Sequence, residues 1–185
     1  MGKKSLYGLT KGTDLEKMTA MLAQAEAKGA MMYYALANIA REQGLGDASE
    51  AFVEAANQEA NHAGFYAMLA GMCPEDFWSL VHGLAKAEAA GEGSIKKLAE
   101  RFRSAGLDAA VPHLEFFAGQ EACHGVVLKE LLDQYGQNVD TTGKKVYVCG
   151  VCGFEYVGDL DAEPEDYVCP VCGQPKRVFR RTDGE

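Results

Sequence analysis

Apolar residues recur every three or four positions through most of the first 135 residues, in four stretches separated by glycine or proline. This spacing predicts four α-helices, each with one apolar face. The four helices are expected at about 14–43, 48–70, 76–105 and 112–135. Asp14 is a suitable N-cap for the first of them, and Pro112 is well placed in the first turn of the last.

The last 40 residues follow a different pattern, in which Tyr and Val alternate with polar residues and four Cys are present. Between the two parts lies a polar stretch rich in Gly, Asn and Thr, as is typical of a linker. The sequence therefore predicts a helical bundle over 1–135, a linker over 136–145 and a small domain over 146–185.

Polar residues interrupt the apolar faces of the helices in the same order in both halves of the bundle. They are Glu26, Glu59 and His62, repeated 62 positions later as Glu88, Glu121 and His124. In a helix, residues three apart lie on one face, so each Glu-x-x-His pair can bind a metal ion from one side. Four carboxylates and two imidazoles from four helices are the ligand set of a dinuclear carboxylate site in a helical bundle.

Four ionised carboxylates on buried faces would destabilise the fold unless two divalent cations neutralise them. A single Glu-x-x-His in a helical protein is usually a solvated pair. Two copies, each preceded by a Glu at the same interval, favour the metal site instead. Ligands rich in oxygen, with one imidazole per metal, suit iron or manganese.

Two Cys-x-x-Cys motifs in the small domain predict a second metal site. They are Cys149-Gly-Val-Cys152-Gly and Cys169-Pro-Val-Cys172-Gly. Four thiolates at this spacing form a tetrahedral site for zinc or a single iron, and the Gly after each pair lets backbone amides turn towards sulfur. A structural zinc ribbon is the alternative. Beside a di-iron site, however, a one-electron iron centre that supplies electrons is favoured.

Other residues of the chain are predicted to have structural roles. The small domain is expected to form its core from Tyr147, Phe154, Tyr156, Tyr167 and Phe179. Cys73 and Cys123 are predicted to be small buried apolar residues, and His82 and His113 lie out of register with the ligand face.

Composition excludes several classes of function. The net charge is −9 and no basic stripe is present, which argues against a nucleic-acid partner. The sequence contains no run of 18 apolar residues, so no membrane span is predicted. The N-terminus lacks the apolar core of a signal peptide. Cysteines in metal spacing rather than a disulfide framework fit a reducing cytoplasm.

Over nearly its full length the chain resembles the rubrerythrin family. The resemblance rests on Lys-Ser-Leu near the N-terminus, the donor pattern from Glu26 to His124, and the rubredoxin-like Pro-Glu-Asp-Tyr-Val-Cys-Pro-Val-Cys-Gly at 164–173. It implies a mostly α fold, with a ferritin-like di-iron four-helix bundle followed by a small rubredoxin-like domain that holds one metal ion on four cysteines. It also implies that Tyr33 lies beside the di-iron centre.

The activity that the resemblance implies is reduction of hydrogen peroxide to water, as a defence against oxidative stress. Electrons would pass from NAD(P)H through separate rubredoxin or reductase proteins to the tetrathiolate iron, where zinc is a possible substitute. The residues leave three alternatives open: a ferritin-like ferroxidase or iron-handling protein, a dioxygen reductase, and a non-enzymatic binding protein with a structural zinc tail.

The chain departs from the rubrerythrin pattern at Gly91. Rubrerythrins usually carry an extra Glu there, three residues after the one that matches Glu88. In the family this carboxylate and the histidine of the second helix exchange as ligands when one iron changes oxidation state. Gly91 therefore predicts that His62 stays bound in both states.

The chain is also short between its second and third helices. A ferritin-like bundle needs a crossover there that runs the length of the bundle. If helix two ends at Ala70 and helix three begins at Asp76, the five residues between them reach at most about 18 Å. A crossover would have to run back along the ends of both helices, a distance of roughly 30 Å. This predicts a homodimer in which helices one and two pack on helices three and four of the partner. In the alternative, helix two ends near Gly64 and residues 65–73 are extended.

Overall fold

The computed structural model describes residues 5–73, 76–136 and 139–182. Four long helices are followed by a small antiparallel sheet, as expected for a mostly α chain. The helices are α1 (Glu16–Glu42), α2 (Gly46–Ala70), α3 (Phe77–Ser104) and α4 (Val111–Tyr135), and the strands are β1 (Val146–Cys149), β2 (Glu155–Val157) and β3 (Phe179–Arg181). No helix in the described ranges is long and apolar enough to cross a membrane.

The chain divides into two compact units, Met1–Glu75 and Asp76–Glu185. The predicted domain bounds at 135 and 146 stay a prediction. Parts of that prediction lie outside the described residues: Gln137 and Asn138 of the linker, the last three residues of the small domain, and Lys4 of the N-terminal motif.

The first unit is a hairpin of α1 and α2 whose contact surface consists of small residues. On α1, Ala23, Ala30 and Ala37 recur every seven positions and are buried, and on α2 Ala56 is fully buried. Such spacing places them on one helix face. Buried Ser49 donates its hydroxyl to the Ala37 carbonyl at 2.9 Å, which joins the helices near their connection.

The start of α1 differs from the prediction. The helix begins at Glu16 with Leu15 as its N-cap, and no side chain caps it, so Asp14 as N-cap is wrong. Two backbone amides close to the start of the helix are bound by other side chains. The Glu16 carboxylate accepts a hydrogen bond from the Gly12 amide at 2.6 Å, and the Thr13 hydroxyl accepts one from the Leu15 amide.

Helix α2 continues without a break through Gly64 to Ala70. The alternative in which it ends near Gly64 is therefore wrong. It closes at Gly71, whose φ of 64° lies in the left-handed region, and the Met72 amide bonds back to the Ala67 carbonyl at 3.0 Å. This is a Schellman-type helix end, which needs a residue without a Cβ at the turn.

The second unit begins with a well-capped helix. Asp76 precedes α3 and its carboxylate accepts hydrogen bonds from the amides of Trp78 and Ser79, both at 3.2 Å. These are two of the amides that a helix start leaves without partners. Helix α4 follows in a second hairpin, with Pro112 in its first turn as predicted.

The sheet of the second unit has the strand order β2-β1-β3, with both pairs antiparallel. The predicted aromatic residues form its core: Phe154 is 2% exposed, and the Tyr156 and Tyr167 rings pack edge-on with centroids 5.8 Å apart. Phe154 also reaches Gly83 of α3, which joins the sheet to that helix.

Candidate metal centres

The α1–α2 hairpin brings together three of the predicted donors. Atoms of Glu26, Glu59 and His62 that could bind a metal all lie within 4.8 Å of one another. Glu59 and His62 are one turn apart on α2, and His62 Nδ1 lies 3.3 Å from Glu59 Oε2. Tyr33, two turns after Glu26, is half-buried and stacks on Phe52 with ring centroids 6.4 Å apart.

The two carboxylates of this hairpin lie close enough to affect each other's pKa. A hydrogen bond between them raises the pKa of Glu26 and lowers that of Glu59. Two carboxylates at this distance cannot both ionise at low cost unless a cation takes the place of the proton. The pair is therefore suited to binding a cation.

The α3–α4 hairpin repeats the arrangement with Glu88, Glu121 and His124, whose donor atoms also lie within 4.8 Å. A hydrogen bond that Glu121 donates to Glu88 raises the pKa of Glu121. One contact differs from the first hairpin: His124 Nδ1 lies 3.3 Å from Glu88 Oε2 on the neighbouring helix, not from the Glu of its own helix.

Each hairpin by itself holds its donors at an open face. The imidazoles of His62 and His124 are 54% and 57% exposed, and the carboxylates of Glu59 and Glu88 are 25% and 23% exposed. Two carboxylates and one imidazole suit iron in their chemistry. Three donors leave coordination positions of a six-coordinate iron ion open, so each hairpin by itself forms an incomplete iron site.

The four-cysteine cluster has the dimensions of a tetrahedral metal site. The Cys149 and Cys172 sulfurs lie 3.7 Å apart, and those of Cys152 and Cys169 lie 3.6 Å apart. Metal–sulfur bonds of about 2.3 Å in a regular tetrahedron place the sulfurs about 3.8 Å apart. The cluster thus fits a single zinc or iron ion.

The two cysteine turns are built alike. Gly153 and Gly173 have φ of 78° and 68°, and each amide donates to the carbonyl of the first Cys of its motif at 2.9 Å. This conformation favours glycine, as the sequence predicted.

Burial makes the metal-free sulfurs hard to ionise. It raises the pKa of Cys152 strongly and that of Cys169 to about 11. For Cys149 burial acts in the same direction, but the backbone amides of Cys152 and Val151 outweigh it and lower the pKa. A bound cation would stabilise all four thiolates at neutral pH.

The small domain with the four cysteines, called the cysteine domain below, packs on α3 through contacts that the sequence did not predict. The Phe154 ring fills the space above Gly83, and His82 Nε2 lies 2.8 Å from Glu155 Oε1. A glycine inside a helical stretch, such as Gly83, was the available signal for close packing.

Two of the remaining predictions can be compared with the structure. His82 is a satisfied, half-buried residue away from the donors, and His113 is exposed, as expected. Cys73 is half-buried, but Cys123 is exposed, so its predicted burial is wrong. It follows Ala122 on α4 and points away from the hairpin contact.

The chain is similar in sequence to a protein of a methanogenic archaeon. No protein-family model matches the chain. The uncharacterized protein MJ0746 of Methanocaldococcus jannaschii is 31% identical over 128 residues, which cover 69% of this chain and 91% of that protein.

Among solved structures, the chain is similar to nigerythrin in its mixed-valent and fully reduced, all-ferrous states. Both are 20% identical and cover 98% of this chain, with 94% and 95% of the nigerythrin chain covered. The TM-score is 0.33 in each case, and a likeness at that level carries no argument about function.

Proposed function

We propose that this chain, which belongs to the same family as the uncharacterized protein MJ0746, is a non-haem di-iron peroxidase that reduces hydrogen peroxide to water. The predicted likeness to rubrerythrins and the predicted fold class are confirmed by the four helices, the small sheet and the three donor clusters. One observation carries the proposal: two carboxylate–histidine half-sites and a four-cysteine centre occur in one chain.

The residues of the half-sites have distinct roles in this proposal. Glu59 and Glu121 would hold the iron pair as bridging ligands, and His62 and His124 would each bind one ion. Glu26 and Glu88 would be terminal ligands and would pass protons. His62 would stay bound in both oxidation states, since Gly91 offers no carboxylate to replace it. When bound, the iron pair supplies two electrons and the positive charge that stabilises developing oxide.

The overall reaction consumes one hydrogen peroxide, two electrons and two protons and forms two waters. The O–O bond breaks and each oxygen ends as water. The electrons come one at a time from a reduced carrier, a rubredoxin or an NAD(P)H-linked reductase, through the tetrathiolate iron. This relay is supported by a cleft in the second unit that Cys152 lines together with Glu88 and Glu121.

The complete site requires both half-sites, and we propose that a second copy of the chain supplies one of them. His62 lies eight residues before the end of α2, and Glu88 lies eleven residues after the start of α3. At 1.5 Å per residue these two helix segments are together about 29 Å long, and a crossover within one chain must run back over that length. The seven Cα steps from Ala70 to Phe77 reach at most about 25 Å, even before the turn at Gly71 shortens them.

Exposed apolar surface on each hairpin supports the same assembly. On α1, Met21 and Met31 are more than 60% exposed, and on α4, Val126 and Val127 are more than 50% exposed. A groove of about 480 Å³ follows α3 and α4 beside Glu121, and its walls combine alanine, valine and leucine with lysine and glutamate side chains. In the proposed homodimer the α1–α2 hairpin of a second copy covers this groove, so that each site takes three donors from each chain.

Rapid mixing tests the peroxidase proposal. The iron-loaded protein is fully reduced and mixed separately with hydrogen peroxide and with dioxygen, while absorbance follows both iron centres. We expect peroxide to oxidise the bundle faster, with the tetrathiolate iron reoxidised afterwards through it. A protein with zinc in the four-cysteine site is the control, since it should lose only the second phase. Faster oxidation by dioxygen, or release of oxidised iron, would replace the proposal with a dioxygen reductase or a ferroxidase.

A further inference from the structure

We propose that Gly91 keeps open a cleft through which a small oxidant reaches Glu88 and Glu121, beside the four-cysteine centre. Gly91 is thus a specificity-determining position that limits the size of the ligand. The inference rests on the proposed function for the identity of the oxidant, but access of small ligands to the site can be measured independently.

The cleft lies entirely within the second unit and has a volume of about 290 Å³. One wall comes from α3 and α4, and the other comes from the two cysteine turns. The residues that line it are Ala87, Glu88, Gly91, Ser94, Glu121, Val151, Cys152 and Val171. A water molecule takes about 30 Å³ in the liquid. The cleft therefore has room for a peroxide with several waters, and it lies at the lower end of the range of pockets that bind organic ligands.

Gly91 lies on α3 beside the Glu121 carboxylate. A Cβ added at Gly91 would lie 3.1 Å from Glu121 Oε2, closer than side chains normally approach. Any larger residue would press on this carboxylate or fill the cleft. A glycine inside a helix lowers stability by about 0.5–1 kcal/mol relative to alanine. Access to a proposed metal ligand is a functional reason to keep glycine here in spite of this loss of stability.

The opposite wall of the cleft contains a cysteine of the proposed electron relay. Cys152 and its neighbour Val151 belong to the first cysteine turn, and Val171 holds the matching position in the second. The oxidant would thus arrive between the carboxylates and a sulfur of the electron relay. The two valines give part of this wall an apolar surface.

The chain contains a matched control for Gly91. Gly93 lies two residues further along the same helix, and a Cβ added there meets no atom within 4 Å. Gly91→Ala and Gly93→Ala therefore have the same effect on helix propensity and differ only in the cleft.

Azide, a rod of three atoms similar in size to peroxide, serves as the probe in the first experiment. It is titrated into the oxidised, iron-loaded full-length protein, and the absorbance change gives its affinity. We expect Gly91→Ala to weaken azide binding about tenfold, as overpacking of a tight site would. Gly93→Ala should match the wild type. Equal azide affinities in both variants at unchanged iron content would overturn the proposal.

A second variant covers the case in which Gly91→Ala displaces Glu121 and loses iron. Val171→Phe fills the cleft from the opposite wall and leaves α3 beside Glu121 unchanged, and it should weaken azide binding at full iron content. An affinity equal to that of the wild type would refute the cleft. A protein in which both variants weaken azide binding but peroxide does not oxidise the bundle would keep the cleft and reject the peroxidase proposal.

Discussion

Phe154 of the cysteine domain packs against Gly83 of α3 so closely that no side chain fits between them. A Cβ built on Gly83 would lie 2.3 Å from Cε2 of the Phe154 ring and 2.6 Å from the Glu155 carbonyl oxygen. Phe154 is also part of the buried cluster around Cys149 and Cys169. One contact therefore fixes the position of the four-cysteine centre on the helix that carries Glu88.

We expect Gly83→Ala to separate the cysteine domain from α3 or to strain both. Overpacking of this kind costs about 1–3 kcal/mol. Chemical denaturation should show the loss of stability, and proteolysis of the segment between α4 and β1 should accelerate. Gly93→Ala, on the open side of the same helix, should be neutral or stabilising. Equal stability of the two variants would show that α3 and Phe154 can move apart at no cost.

Glu121→Gln should empty the bundle of metal and leave the four-cysteine centre intact. Glu121 is hydrogen-bonded to Glu88, and its carboxylate is one of three donors in its half-site. The amide lacks the charge that iron requires. Elemental analysis should find only the ion held by the cysteines. Glu130→Gln, an exposed position on the same helix, is the control and should keep all metal. Full iron content in Glu121→Gln would contradict the assigned site.

Co-expression of two differently tagged variants tests the exchange of hairpins between subunits. One chain carries Glu59→Ala and His62→Ala, and the other carries Glu121→Ala and His124→Ala. In the exchanged dimer, one site combines both altered halves, whereas the other combines both intact halves. We therefore expect the purified heterodimer to regain one dinuclear site.

An unexchanged dimer would contain an altered half in each site and would bind no iron in the bundle. The baseline is a dimer of two differently tagged chains that both carry Glu59→Ala and His62→Ala. It has no intact site in either arrangement. Iron and activity at this baseline in the mixed heterodimer would exclude the exchange.

Asp76→Ala should destabilise α3 by about 1 kcal/mol at neutral pH, the usual effect of losing an N-cap. Hydrogen bonds from the Ser79 hydroxyl and amide lower the pKa of Asp76 in the folded protein. Its contribution is therefore complete above the unfolded value of 3.8 and is lost as the pH falls through the lower folded value. Stability curves of the two proteins should converge in acid. Asp76→Asn, which still accepts hydrogen bonds, should show a smaller loss at neutral pH.

The helices, the donor set and the cysteine turns could be predicted because each depends on local spacing. A period of 3.6 residues places Glu59 and His62 on one face wherever the helix packs. The end of α2 at Ala70 and the start of α3 close to Asp76 likewise follow from neighbouring residues. Asp14 is not the cap because α1 begins only at Glu16, after a turn over the preceding residues that helix propensity does not resolve.

Contacts between distant segments depended on tertiary structure. The residue order alone does not indicate that Phe154 packs on Gly83, or that His124 turns towards Glu88 rather than Glu121. Nor does it show that Gly91 borders a cleft with Cys152 on its far wall. Periodicity determines which face of a helix a residue occupies, but only the packed chain determines what lies opposite that face.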